Sequence, residues 1–319
     1  MLTRRILAAL ALAAISAGTW AQSYPVKPIR LVVPFPPGGA AEVGARLFAQ
    51  PLGERLGQPV VIETRPGADG IIASDAVRKA PADGYTLYYG TATGLSFVPA
   101  VKKVPPYDPL NDFTPISLVG VFGFFVFSHA DIPVQTLQDL VGWARANPGR
   151  INYGTGNATA QLATALFAAA QRIDVMHVPY KGDGPLSTDL LAGRIHFAFS
   201  TPATLAPQVK EGRVRVLATM LPTRSPLLPQ APTLPEAGFA PVPIVPWGGL
   251  LGPAKLPREV VDRLQKELAV VLASPSVKEG LGRIAFEPRS STPEELRRLM
   301  TEQLKAYGDA ARLAGITLD

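Results

Sequence analysis

Short apolar, β-branched runs alternate with longer amphipathic stretches twice along this chain. "IRLVVPF" precedes "AAEVGARLFAQPLGERLG", "PVVIETR" precedes "GIIASDAVRKA", and "YTLYYG" closes the first series. The second series starts at "TLQDLVGWARANPG" and continues through "INYG", "TAQLATALFAAAQR", "DVMHVPY", "LSTDLLAGR", "IHFAFS", "LAPQVKEGR" and "VRVLATM". An unbroken apolar run bounded by turn residues reads as a strand buried on both faces. Strand–helix–strand order then predicts a mainly parallel sheet flanked by helices. Two such series in 319 residues fit two α/β domains at about 150 residues each.

The segments outside the two series differ in character. "FTPISLVGVFGFFVFSHA" is long, apolar and without helical period; it reads as two strands or as a β-rich crossing between domains. "LPTRSPLLPQAPTLPEAGFAPVPIVPWGGLLGPAKLP" has no periodicity and reads as an ordered surface crossing. The chain ends in amphipathic helices. In "REVVDRLQKELAVVLA", Val260, Val261, Leu264, Leu268, Val271 and Leu272 share one face. In "TPEELRRLMTEQLKAYGDAARLAG", Thr292 with Glu295 three residues on forms a capping box.

The first 21 residues read as a secretory signal peptide. Arg4 and Arg5 precede the apolar "ILAALALAAISAG", and Thr19 and Ala21 are small residues at the −3 and −1 positions of a cut. The run is shorter than the roughly 20 residues of a spanning helix. Cleavage after Ala21 leaves Gln22 as the mature start and predicts an exported, periplasmic protein. Cysteine is absent, which excludes a disulfide framework and a lipid-modified cysteine anchor. Loss of Arg4 and Arg5 takes the formal charge from +6 to +4. The remaining basic residues are scattered rather than striped with aromatics, so nucleic acid is excluded as a partner. A mild positive balance suits small anions.

Between the first strand and helix stands "PFPPGGAAE". Ligands of open α/β sheets bind beyond the carboxyl ends of strands, where this turn lies. The first N–H groups of the following helix have no internal partners, and its dipole concentrates positive charge there. Gly38 and Gly39 let an anion approach the backbone, and Pro36 and Pro37 stiffen the turn. An ordinary strand-to-helix turn is the alternative. Other strand ends carry similar loops: Thr91, Thr93, Gly94 and Ser96; Thr155, Gly156, Asn157 and Thr159; Tyr180, Lys181 and Gly182; Ser200 and Thr201. Their recurrence at one end of two sheets is a stronger signal than any one alone.

No catalytic constellation is evident. G-x-S-x-G, a P-loop and H-E-x-x-H are all missing, and "GTGNAT" ends in Thr159 where a dinucleotide fingerprint needs glycine. His129, His177 and His196 each lie beside a strand-like run, which suits structural roles better than a metal cluster. No catalytic residue, metal ligand or cofactor is expected.

"YPVKPIRLVVPFPPGGAAEVGARLFAQPLGERLGQPVVIETRPGADG" resembles the start of the extracytoplasmic receptors of tripartite tricarboxylate transporters, the Bug family. "ADGYTLYYGTATG", "INYGTGNAT", "VMHVPYKG", "LLAGRIHFAFSTPAT", "RSPLLPQAPTLPEAGF" and "PWGGLLGPAKLP" continue the resemblance in order. It implies an α/β two-domain periplasmic binding protein of type II-like architecture. Domain 1 would comprise 22–124 and 243–319, domain 2 would comprise 125–242, and β-rich hinges would lie near Ser117–Phe125 and Pro241–Gly249. The implied function is capture of a small organic carboxylate, a dicarboxylate, tricarboxylate or aromatic acid, and its delivery by a monomer to membrane permease subunits. Ligand sensing for a membrane kinase and an exported enzyme on the same scaffold are the alternatives.

The resemblance also implies that backbone N–H groups hold a ligand carboxylate. Pro36, Pro37, Gly38, Gly39, Ala40 and Ala41 would form one half of the cradle, with Phe35 beside it in the expected ligand-binding set. The second domain would close over it with Thr155, Gly156, Asn157, Thr159 and Gln161. Thr91, Thr93, Gly94, Tyr180, Ser200, Thr201 and Trp247 complete the expected ligand-binding set. Phe122 and Phe124 join Phe35 and Trp247 as candidate walls of a distal pocket; core packing is the alternative for all four. Glu42, Gln161 and Ala165 depart from the family's usual residues. So does Ser200, which stands where many members carry Asp; with no acid there to hold an amino group, an amino-acid ligand is not expected.

Overall fold

The structure is a computed structural model and describes residues 24–316. The signal-peptide reading of residues 1–21, with Gln22 as mature start, lies outside the described residues. The described residues build two sheets, one of six strands and one of five.

The first sheet begins with β1 (Ile29–Val33), α1 (Ala40–Leu56), β2 (Val60–Thr64), α2 (Ile71–Arg78) and β3 (Thr86–Thr91), and β1 pairs in parallel with both β2 and β3. After β3 the chain makes one turn of π-helix at Thr93–Phe97 and runs into α3 (Val98–Val101). β4 (Phe113–Phe122) and β5 (Phe125–His129) are the two strands of the long apolar run, and they belong to different sheets. Only Gly123 and Phe124 separate them. Gly123 N–H donates to Ala285 O at 2.7 Å, and Met220 N–H donates to Phe124 O at 2.8 Å.

The second sheet follows with α4 (Leu137–Ala146), β6 (Asn152–Thr155), α5 (Ala158–Gln171), β7 (Met176–Pro179), α6 (Asp183–Leu191), β8 (Phe197–Ser200), α7 (Ala206–Lys210) and β9 (Val214–Thr219). Its order is β7-β6-β8-β5-β9. The chain returns to the first sheet through residues 220–246 and adds β10 (Trp247–Pro253), α8 (Arg258–Ala273), α9 (Pro275–Gly282), β11 (Phe286–Pro288) and α10 (Pro293–Leu313). The first sheet then reads β11-β4-β10-β3-β1-β2.

This is the α/β two-domain periplasmic binding protein fold, but its sheets are mixed rather than mainly parallel. β10 is antiparallel to both β3 and β4, β11 is antiparallel to β4, and β5 is antiparallel to both β8 and β9. Two of these strands, β5 and β10, are the ones the chain enters directly from the other sheet.

β10 corrects the reading of "PWGGLLGP" as part of an irregular crossing. All seven of its residues are buried between β3 and β4. Its glycines permit close packing instead of a turn: a Cβ on Gly248 would lie 2.9 Å from Tyr89 Oη and 3.0 Å from the ring. The capping box at α10 forms as expected, with Glu295 N–H donating to Thr292 Oγ1 at 3.1 Å and Thr292 N–H to Glu295 Oε2 at 2.8 Å.

Candidate functional site

A cavity of about 390 Å³ opens between the two sheets. Its wall comes from residues just past the carboxyl ends of β1, β3, β6 and β8, and from the start of antiparallel β10. Phe35, Phe122, Phe124 and Trp247 form its apolar side. Trp247 is fully buried, and its indole N–H donates to Ser96 Oγ at 3.2 Å, which fixes the ring against the π-helical turn.

The Pro-Gly turn lies along one edge. Gly38 adopts φ +82°, a left-handed conformation that glycine takes without a Cβ clash. Gly39 is the N-cap of α1 and offers no side-chain cap. The N–H groups of Ala40 and Ala41 open the helix and so lack intrahelical partners. Gly38 is different from the cradle expectation, because its N–H donates to Glu42 Oε2 at 3.1 Å. Glu42 is 3% exposed and pairs with Arg46, so this carboxylate is an internal ligand of the turn.

The facing loops come from the second sheet. Asn157 caps α5, and its Oδ1 accepts from Ala160 N–H at 2.9 Å. Gly156 must be glycine for space: a Cβ there would collide with Asp183 Oδ1 and lie 2.8 Å from Gly182 C. Gly182, at φ +99°, brings its backbone against the Pro-Gly turn; a Cβ on it would stand 3.1 Å from Pro36 Cγ. A second contact crosses the cleft where Thr93 Oγ1 and Thr159 Oγ1 are hydrogen-bonded at 2.9 Å, both buried.

Asp183 is the first residue of α6 and lines the cavity at 6% exposure. Its Oδ2 accepts from Thr201 Oγ1 at 2.5 Å. Its Oδ1 has no hydrogen-bond partner among the described residues. Burial pushes the carboxyl above the usual carboxylate range, against the Thr201 and Ser200 hydroxyls and the Thr201 N–H. Ser200 Oγ acts on that carboxyl by proximity but completes no hydrogen bond of its own.

A second cavity of about 610 Å³ adjoins the first. Phe35, Pro36, Gly156, Asn157, Lys181 and Gly182 line both, so the Pro36–Gly182 contact forms the neck between them. Thr155, Gln161, His177 and Tyr180 face this outer cavity. His177 Nε2 lies 2.7 Å from Thr155 Oγ1, and burial lowers its pKa. Tyr180 donates to Asp189 Oδ2 at 2.8 Å, and its phenol is pushed up to about 12, first by burial and then by that hydrogen bond. Asp69, on the opposite side, is pushed up by burial and pulled down by Lys102.

Of the expected residues, Phe35, Pro37, Gly38, Gly39, Ala40, Ala41, Thr91, Thr93, Gly156, Asn157, Thr159, Thr201 and Trp247 meet at the inner cavity. Thr155, Gln161 and Tyr180 lie at the outer one. Gly94 and Ser200 line neither. Gly94 sits behind the wall, where its carbonyl accepts from Tyr107 Oη at 2.6 Å. Ser200 ends β8 and is fully covered. Asp183 was not foreseen; the signal for it was an acidic residue between two glycines at a helix start. No group of histidine or acidic residues among the described residues is placed to hold a metal ion. No helix among them is long and apolar enough to cross a membrane.

Residues 44–315 match the profile of the tripartite tricarboxylate transporter family receptor. Protein BugT of Bordetella pertussis is 32% identical over 97% of this chain and 96% of its own. Rpa4515 of R. palustris, solved with adipate, superposes with a TM-score of 0.87 at 34% identity, covering 92% of this chain and 99% of that one. The periplasmic binding protein BugD gives a TM-score of 0.86 at 30% identity over 92% and 99% of the two chains. MatC of Rhodopseudomonas palustris, solved with bound malate, gives 0.83 at 26% identity over 90% and 99%.

Proposed function

The chain belongs to the tripartite tricarboxylate transporter receptor family, and from that premise we propose that it captures a small organic carboxylate in the cleft between its domains. It is a solute-binding receptor, not an enzyme. The observation that carries the carboxylate reading is the turn Gly39–Ala41 at the mouth of α1. Ala40 and Ala41, whose helix-start N–H groups have no side-chain cap, line a mostly apolar cavity there, while the Gly39 N–H donates to Pro36 O at 3.4 Å. Fixed N–H dipoles at a helix end hold a carboxylate without a salt bridge. Relatives of the same fold were solved with adipate and with malate, which supports an acid of that size.

The remaining assignments belong to the same reading. Residues 22–124 with 243–319 form domain 1 and 125–242 form domain 2, supported by the change of sheet between β4 and β5 and between β9 and β10. The chain is exported to the periplasm after cleavage at Ala21 and passes its ligand to membrane permease subunits. Thr91, Thr93, Gly156, Asn157, Thr159 and Thr201 orient the ligand, and Phe35 and Trp247 exclude water from it.

Thermal-shift titration of residues 22–319 against di- and tricarboxylates, aromatic acids and acidic amino acids tests the proposal. A ligand that binds only the folded state raises the Tm. Gly39→Val is the matched control: φ is −77° at that position, and a Cβ meets only Pro36 O, at 3.5 Å. The variant is expected to fold normally and lose the Tm rise. An unchanged rise in the variant would sink the cradle.

A further inference from the structure

The inner cavity contains a buried carboxyl that the carboxylate cradle does not use. Asp183 projects from the second domain, whereas Gly39–Ala41 belong to the first. One oxygen of Asp183 is held by Thr201 and the other has no partner. The Thr91 hydroxyl, on the same cavity wall but from the first sheet, is also buried without a partner. Buried polar groups are almost always satisfied, and an unpaired buried carboxyl is among the costliest exceptions. The groups that favour its ionised form are all neutral, the Thr201 and Ser200 hydroxyls and the Thr201 N–H. Its place at the first turn of α6 gives it help from the helix dipole, but a dipole does not fill the empty acceptor site on Oδ1.

We propose that Asp183 is a specificity-determining residue, selecting acids that carry a hydrogen-bond donor, an amino or hydroxyl group, in addition to the carboxylate held at Gly39–Ala41. The inference rests on the carboxylate reading of the cleft. It reverses the expectation drawn from Ser200. An acid missing at Ser200 is supplied from α6, because Thr201, the next residue, holds the Asp183 carboxyl in that same corner. An amino group satisfies Asp183 best, since it brings both the donor and the opposite charge.

Isothermal titration of residues 22–319 with matched acids tests this directly. The sets are succinate, malate and aspartate; glutarate, 2-hydroxyglutarate and glutamate; adipate and 2-aminoadipate. In any set that binds, the donor-bearing member is expected to bind about tenfold tighter than the plain one. Asp183→Asn is expected to erase most of the preference for the amino member over the plain one, with the circular dichroism spectrum intact. A structural role for Asp183 would shift all members alike. Equal affinity of plain and donor-bearing acids, or a preference that survives in the variant, overturns the assignment of Asp183 and leaves the carboxylate reading standing. Failure of every acid in all sets to bind the wild-type chain overturns both.

Discussion

Asp183 shows how a binding site trades against stability. Its carboxyl titrates higher in the folded chain than in the unfolded one because burial disfavours the charge. Between the two pKa values the folded state holds more protons, so stability falls as pH rises through that window. The deficit is complete above the folded pKa and absent below the ordinary carboxylate range. Asp183→Asn removes the charge that burial penalises. The variant is therefore expected to melt several degrees higher than wild type at neutral pH, and the gap should close near pH 3. Thermal melts at both pH values check this; a variant that melts lower at neutral pH would contradict it. The sequence exposes little of the argument. "KGDG" marks a helix start, but nothing in it says that Thr201, eighteen residues on, closes over the carboxyl. Backbone-built sites leave the same blank: Gly39 is legible as a flexible turn residue, while the Glu42 side chain that consumes the Gly38 N–H is not.

Elements were legible where periodicity was strong and obscure where glycine mimicked a turn. The strand–helix alternation marks β1 to β3 and β6 to β9; central β1, β3 and β8 are the buried apolar runs, while β2 and β7 are partly exposed edge strands and β9 is an antiparallel edge. β10 escaped because "WGGLLGP" carries the residues of a loop. Its glycines answer to neighbours distant in sequence, Tyr89 for Gly248 and Leu296 with Trp247 for Gly249. Gly248→Val should accordingly cost more than its gain in β propensity, about 1–3 kcal/mol, by displacing the buried Tyr89 ring. Denaturant unfolding measures it, and a loss under about 0.5 kcal/mol would mean that the ring has room to move. The cap of α10 has a smaller and local effect. Thr292→Ala removes an acceptor for Glu295 N–H and is expected to cost about 1 kcal/mol, with ligand affinity unchanged.

At the scale of the whole molecule the two domains are joined by short strand crossings and meet again across the cleft. The β4–β5 link is only two residues, and the return passes through 220–246. The cleft contacts include Thr93 with Thr159, the Ala158 N–H on the Asp69 carboxylate, Thr159 beside Tyr307, and Pro36 with Gly182. A ligand that touches both domains adds to these contacts and biases the chain toward the closed form. Closure energy and affinity are then the same quantity read in two ways, because a receptor that closes less often binds more weakly by that fraction. Thr93→Val deletes the inter-domain hydrogen bond while Tyr307 stays beside the Thr159 hydroxyl, a loss of about 1 kcal/mol from the closed form. The expected result is an affinity about fivefold lower, with a wild-type melting temperature when no ligand is bound. Small-angle scattering should show a larger unliganded radius of gyration in the variant, shrinking to the wild-type value only at higher ligand concentration. If the variant matched wild type in both affinity and radius, closure would not pass through Thr93 and Thr159, and the Pro36–Gly182 neck would remain as the point where the domains hold the ligand in.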